Sequence, residues 1–244
     1  LGTGSQISYR QKVLRESDMK IDLRNVQTRW INLDRATLNA KQMIEQFDRL
    51  GFTSHIRIPG RIIPPPKDLS AARLRAFGKH YMGCGQAHID ALLSASKGSV
   101  LVLEDDALAT EAFVPVIEVP NDTDAVYLGI SHGNKNQAIV DLNNGWYRIF
   151  GMLAAHAVLY VSERYKNYAV DIAHMCLYTK KIPMDNGFAA AQSKFKVIAA
   201  STPMFIQSAE RESQNKWQSL TDRPLVPTHV QALNELIPIP PYSL

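Results

Sequence analysis

With 244 residues, 45% of them apolar and 20% charged, the chain can bury a full core and fits one domain of α/β size better than two. No stretch approaches the roughly 18 consecutive apolar residues of a membrane span, which excludes a helical membrane protein. A formal charge of +4, with the basic residues spread along the chain, favours a small anionic ligand over a nucleic-acid backbone.

Leu1-Gly2-Thr3-Gly4-Ser5-Gln6 has no apolar h-region and reads as a processed end or cloning remnant, not a signal peptide. Residues 1–25 are polar and aperiodic and are set apart as an N-terminal extension. The core is expected to begin with a strand, Gln27 to Leu33. Ala36 to Leu50 then carries Leu38, Met43, Ile44, Phe47 and Leu50 at helical spacing, with Gly51 where a C-terminal cap belongs. A strand at Ser54–Ile58 completes a βαβ opening. Pro59-Gly60 and Pro64-Pro65-Pro66 force an extended loop, after which Asp68 or Ser70 can cap a helix reaching about His80. A second helix is expected from Gly85 to Ala95.

Ser99-Val100-Leu101-Val102-Leu103-Glu104-Asp105-Asp106 is the most informative run: a short apolar strand ending in three adjacent carboxylates. Strand alternation turns Glu104 and Asp106 to one side and Asp105 to the other. Adjacent negative charges repel, and a cation or a set of donors relieves them. Further strands are expected at Asp124–Leu128, Ala138–Asp141 and Ala157–Val161, which gives an α/β protein with a mixed sheet. Cys84 and Cys176 are far apart, form no CxxC, have no His spacing suited to zinc, and read as reduced core thiols, with a disulfide left open; a cytoplasmic protein fits best. The proline-rich tail Pro238–Pro241 should lie extended on the surface.

Several separated segments, read in order, resemble the family 25 glycosyltransferases. Trp30-Ile31-Asn32-Leu33-Asp34-Arg35 is similar to the family's "INLDR" strand, and Ile56-Arg57-Ile58-Pro59-Gly60 to its "RI.G" strand. Gly83-Cys84-Gly85-Gln86-Ala87-His88-Ile89-Asp90-Ala91-Leu92 resembles "GCxxSHxxAL", with Gln86 in place of the family's Ser. Val102-Leu103-Glu104-Asp105-Asp106-Ala107 resembles "xLEDDA", and His156 to Ser162 the "THAYLIS" strand. Ile182-Pro183-Met184-Asp185 with Pro203-Met204-Phe205-Ile206-Gln207 is similar to the "PxD … PxxxQ" pair. The resemblance spans about residues 28 to 208. It implies a GT-A-like single domain over 26–210, with a Rossmann-like nucleotide-binding half and a mixed central sheet flanked by helices. The C-terminal segment, 211–244, lies beyond the matched segments and is expected to pack on the same domain.

It also implies an activity: transfer of a hexose, galactose or glucose, from a UDP-sugar to a glycan hydroxyl, with inversion and with Mn²⁺ or Mg²⁺. Glu104 and Asp106 are the expected metal ligands, as in the "DXD" element, with His229 a third; the alternative is an acidic cap on the next helix. Asn32, Asp34, Arg35, Lys79, Glu104 and Asp105 are the expected nucleotide-sugar contacts, against ordinary solvated roles for Arg35 and Lys79. Asp185 is the expected general base, against helix capping, with Asp141 in reserve. His88 and His156 read as hydrogen-bonded interior residues. No GxSxG, P-loop or GxGxxG is present. Two rivals remain: a nucleotidyltransferase, which normally brings a Gly-rich loop after its first strand, and a catalytically silent nucleotide-sugar-binding module. The expected partners are therefore a nucleotide sugar and a glycan acceptor, with no nucleic acid.

Overall fold

The computed structural model describes residues 18–78, 80–131, 138–142 and 144–208, with the backbone alone for Ala76 and Ser131. Its first half is a parallel βαβ unit. β1 (Met19–Asp22) precedes β2 (Gln27–Asn32), α1 (Thr37–Leu50) and β3 (His55–Pro59). α2 (Ala71–Phe77) and α3 (Tyr81–Leu93) then lead into β4 (Val100–Glu104), and β2 pairs in parallel with both β3 and β4. After β5 (Ala107–Ala109) and β6 (Val116–Val119) come β7 (Ala125–Ser131), β8 (Ala138–Asp141), β9 (Trp146–Phe150) and β10 (Leu153–Tyr160). α4 (Glu163–His174) continues as a π-helical turn, Met175–Lys180. α5 (Met184–Ala191), β11 (Val197–Ala200) and β12 (Phe205–Gln207) follow.

The eight-stranded sheet has the order β3-β2-β4-β10-β7-β11-β9-β8, with β10 antiparallel to both neighbours and β11 parallel to β7. Two ribbons, β1-β6 and β12-β5, lie outside it. Period-two alternation splits the core between the two faces. Ile31, Val100, Val102, Tyr127, Val158 and Tyr160 pack with residues of α3, α4 and α5, whereas Trp30, Leu101, Leu103, Val126, Leu128 and Leu159 pack with α1 and the β1-β6 ribbon. The result is the expected α/β protein with a mixed central sheet flanked by helices. No helix among the described residues is long and apolar enough to cross a membrane.

Several expectations need correction. The core begins before residue 26: β1 pairs with β6, and Ile21 and Leu23 are buried, so the polar extension ends by Asp18. α1 buries Asn39, Met43, Gln46 and Phe47 and leaves Leu38 and Ile44 exposed. Gln46 is tolerated because its Nε2 donates to the Ala107 carbonyl at 3.1 Å and its Oε1 accepts from the Ala109 N–H at 2.9 Å, which ties the helix to β5. Gly51 does cap α1 in the left-handed conformation, φ 77°.

α3 starts at Tyr81, ahead of the expected start at Gly85, and takes in Gly83. A Cβ on Gly83 would sit 1.9 Å from the Arg61 carbonyl oxygen, so the helix gives up intrinsic propensity for close approach of the 61–63 loop. Asp185 lies in the first turn of α5. Asp141 lies on the edge strand β8, five strands across the sheet from β4, and leaves consideration as a base. Both cysteines are free, and Cys84 is exposed rather than a core thiol. Lys79, His229 and the C-terminal segment 211–244 lie outside the described residues.

Candidate functional site

The parallel arrangement delivers the carboxyl ends of β2, β3 and β4 to one edge of the sheet, where open α/β sheets bind ligands. β7 runs with β4 on the far side of β10, so its carboxyl end and the amino end of β10 reach the same edge. Glu104 ends β4 in the alternation phase of Val100 and Val102 and therefore meets α3. Its Oε1 lies 3.0 Å from His88 Nε2, which donates to it, and 3.7 Å from Cys84 Sγ. His88 is fully buried, while the Glu104 side chain is 19% exposed. Burial pushes the Glu104 carboxyl up, but the hydrogen bond and charge of His88, with His156 and Cys84, outweigh it and hold the group below the ordinary carboxylate value.

Asp105 turns to the α1 side. Its Oδ2 accepts from Asn32 Nδ2 at 2.6 Å, and the same amide donates to the Ala36 carbonyl at 3.0 Å. Arg57 closes this corner, donating from Nε to Asn32 Oδ1 at 2.8 Å and from its terminal nitrogen to Asp34 Oδ1 at 2.6 Å. Asn32 is 1% exposed, so its role is to set the turn, while Asp34 and Arg35 stand in solvent at the strand end. Asp106 is 5% exposed. Its Oδ2 accepts from Gln207 Nε2 at 3.3 Å and its carbonyl from the Ser208 N–H at 2.8 Å, which joins the end of β12 to the acidic turn.

Asp185 reaches the same edge from α5. The backbone N–H of Ala154, at the start of β10, donates to its carboxylate, as do first-turn N–H groups of α5. Ala154 holds φ at 73°, a conformation that costs a non-glycine residue energy and that clusters at functional sites. Burial raises the Asp185 carboxyl, and the charge of Glu104 raises it further against those N–H donors. Close packing around the sulfur, then the charges of Glu104, Asp185 and Asp106, lift the Cys84 thiol well above the ordinary value, although the residue as a whole keeps surface in solvent. Three carboxylates thus act on one space.

His156 enters between them from β10. Its Nε2 donates to the Phe205 carbonyl at 3.4 Å, and a Cβ on Gly129 would come within 2.3 Å of that nitrogen, which accounts for the glycine in β7. Burial depresses the imidazole despite the nearby Glu104 charge. Beside the edge, a cavity of about 550 Å³ is lined by Gly60, Arg61, Ile62, Ile63 and Gln86. Gln86 is held there by Asp90, which accepts from its Nε2 at 2.8 Å, and by the Tyr178 hydroxyl, which donates to its Oε1 at 2.6 Å. Of the sequence candidates, the edge gathers Asn32, Asp34, Arg35, Glu104, Asp105, Asp106 and Asp185. Sequence reasoning missed Arg57, Gln207 and Cys84 as parts of it, although each falls inside a segment singled out above.

These shifts fix the acid response. The folded value of His156 lies below the ordinary imidazole value of about 6.5, so the unfolded chain takes up that proton first and stability drops as pH falls below it. Glu104, also lowered, contributes stability above the unfolded carboxylate value that is lost as pH falls through its folded value. Asp185, being raised, opposes them: the folded state binds its proton first, so its contribution grows on acidification. The melting temperature is therefore expected to begin falling near pH 6.5, and His156→Gln to remove that onset, as measured by calorimetry across a pH series.

No protein-family profile matches the chain, and no curated protein matches it. Among solved structures it is similar to a UDP-glucose pyrophosphorylase complexed with UDP-glucose, at 11% identity and a TM-score of 0.46 over 72% of this chain and 90% of that one. It is also similar to a nucleoside-diphosphate-sugar pyrophosphorylase from Vibrio cholerae RC9, at 11% identity and 0.38 over 70% and 71%. A glycosyltransferase involved in the glycosylation of the major capsid of PBCV-1 matches at 6% identity and 0.33 over 72% and 93%.

Proposed function

We propose that the chain is a GT-A-like, metal-dependent inverting glycosyltransferase that moves a hexose, galactose or glucose, from a UDP-sugar to a glycan hydroxyl. One observation carries the reading: Glu104, Asp106 and Asp185 converge at the carboxyl edge of a parallel βαβ unit, beside an Asn32–Asp105–Arg57 corner that presents Asp34 and Arg35 to solvent. The ordered resemblance of the segments to family 25 supports it.

The oxygen donors Glu104 and Asp106 suit a hard divalent cation, and so does the accumulated negative charge around them. Mn²⁺ or Mg²⁺ held there would offset the charge that develops on the departing nucleoside diphosphate. The remaining work falls to the chain. Asp105 and Arg57 fix Asn32 and so set the direction in which β2 delivers Arg35 to the uridine or phosphate. Asp185, raised above the ordinary carboxylate value by burial and aimed by the Ala154 N–H, accepts the acceptor hydroxyl's proton on its carboxylate. Burial of the His88–Glu104 pair keeps the β4 end rigid.

The second reading is a nucleotidyltransferase, favoured by the same parallel βαβ half but lacking a Gly-rich turn, since Leu33-Asp34-Arg35 follows β2. Incubation with UDP-galactose or UDP-glucose and Mn²⁺ separates the readings. Acceptor-dependent release of UDP supports transfer, whereas formation of UTP on adding pyrophosphate supports the alternative. Neither product would leave a binding module. Arg35→Ala is expected to weaken UDP by about 1–3 kcal/mol, the scale of a charge-assisted hydrogen bond, without lowering the melting temperature. An unchanged dissociation constant would make Arg35 a plain surface residue.

A further inference from the structure

We propose that Cys84, His88 and Glu104 form a second, soft-metal site at the junction of α3 and β4, with Zn²⁺ as the ion of matching chemistry. The sequence spacing shows no zinc pattern because the third ligand comes from another element: Cys84 and His88 are four residues apart on α3 and share one helix face, and β4 brings Glu104 to that face. The three ligand atoms all lie within 4.8 Å of one another. Sγ to Oε1 is 3.7 Å and Nε2 to Oε1 is 3.0 Å. Tetrahedral Zn²⁺, with bonds of about 2.3 Å to sulfur and about 2.0 Å to nitrogen or oxygen, places its ligand atoms roughly 3.3–3.6 Å apart, so small side-chain movements suffice.

A thiolate and an imidazole select Zn²⁺ over Mg²⁺ or Mn²⁺, which separates this site from the all-oxygen set of Asp106 and its neighbours. His88 is fully buried and anchored, whereas Cys84 is exposed, so the ion has a route in and an open fourth position for water. The other cysteine, Cys176, is 1% exposed and packed on Gly187. On binding, the Cys84 S–H bond breaks, its proton leaves to solvent and the sulfur–metal bond forms. The hydrogen bond between His88 Nε2 and Glu104 gives way to two metal bonds, and the imidazole proton moves to Nδ1. The ion would clamp α3 to the end of β4 and draw on Glu104. The site requires no nucleotide, but it shares Glu104 with the hard-cation pair of the transfer reading, so an ion held here would compete with that cation for one ligand.

Cobalt is the probe. Reduced, metal-free full-length protein with one equivalent of Co²⁺ should develop a near-ultraviolet thiolate-to-cobalt band and tetrahedral visible bands, both abolished by one equivalent of Zn²⁺. Cys176→Ser should keep the near-ultraviolet band, and Cys84→Ser should lose it. Cys84→Ser and His88→Gln should each weaken Zn²⁺ by more than the roughly 10–100-fold that loss of an outer-shell partner costs. Asp106→Asn should leave the band intact, so failure of the UDP-sugar reading is seen separately, in UDP binding. Absence of a thiolate band at one equivalent of Co²⁺, or a band that survives Cys84→Ser, would overturn the site. Circular dichroism on each variant checks that the fold is kept.

Discussion

Asp185→Asn is expected to cut sugar transfer by ~10²–10⁴-fold while leaving UDP-sugar affinity close to wild type. The amide keeps the shape and an acceptor oxygen for the Ala154 N–H but cannot take a proton from the acceptor hydroxyl. The same substitution should raise the melting temperature at neutral pH. Burial and the Glu104 charge make the ionised Asp185 unfavourable, and a neutral amide removes that conflict. Loss of rate together with gain of stability is the signature of a strained functional carboxylate. A purely structural first-turn aspartate predicts the reverse: activity kept, and stability lost with the favourable charge at the helix N-terminus. Single-turnover transfer, UDP-sugar titration and calorimetry on this one variant separate the two.

Asp106→Asn carries the second large effect. The residue is almost wholly buried, and Gln207 Nε2 donates to its Oδ2, a bond that an amide oxygen preserves, so the variant should fold. If Asp106 helps to hold a divalent cation on the leaving diphosphate, losing one hard anionic ligand removes several kcal/mol of transition-state stabilisation. Taken as about 3 kcal/mol, that is roughly a 10²-fold fall in transfer rate. Higher Mn²⁺ should recover part of the loss, and the Mn²⁺ concentration for half-maximal rate should rise. Wild-type rate and an unchanged Mn²⁺ curve would make Asp106 a structural link between the acidic turn and β12.

The features legible in the sequence were those written in neighbouring residues. Trp30 and Ile31, and Leu101 through Leu103, alternate between the two faces as their period implies, and Gly51 caps α1. His88 and His156, on an interior helix and strand, are indeed buried. What stayed hidden depends on partners far away in the chain. Gln46 looks like a solvated helix residue until β5, some 60 positions on, supplies its donor and acceptor. Gly83 and Gly187 sit inside helices because the Arg61 carbonyl and Cys176 Sγ, neither of them sequence neighbours, leave no room for a Cβ. Within the site, the acidic strand end was legible from three adjacent carboxylates. Arg57 was not, because an arginine in a short strand shows its purpose only when β2 places Asn32 and Asp34 beside it.

The central claim, that the edge carrying Glu104 and Asp106 binds a nucleoside diphosphate through a divalent cation, is tested most directly by calorimetric titration of UDP into the wild-type chain. One titration is run in Mn²⁺ and one in EDTA. Tighter binding in Mn²⁺, with the difference lost in Asp106→Asn, is the predicted result. Equal UDP affinity in Mn²⁺ and EDTA would contradict it.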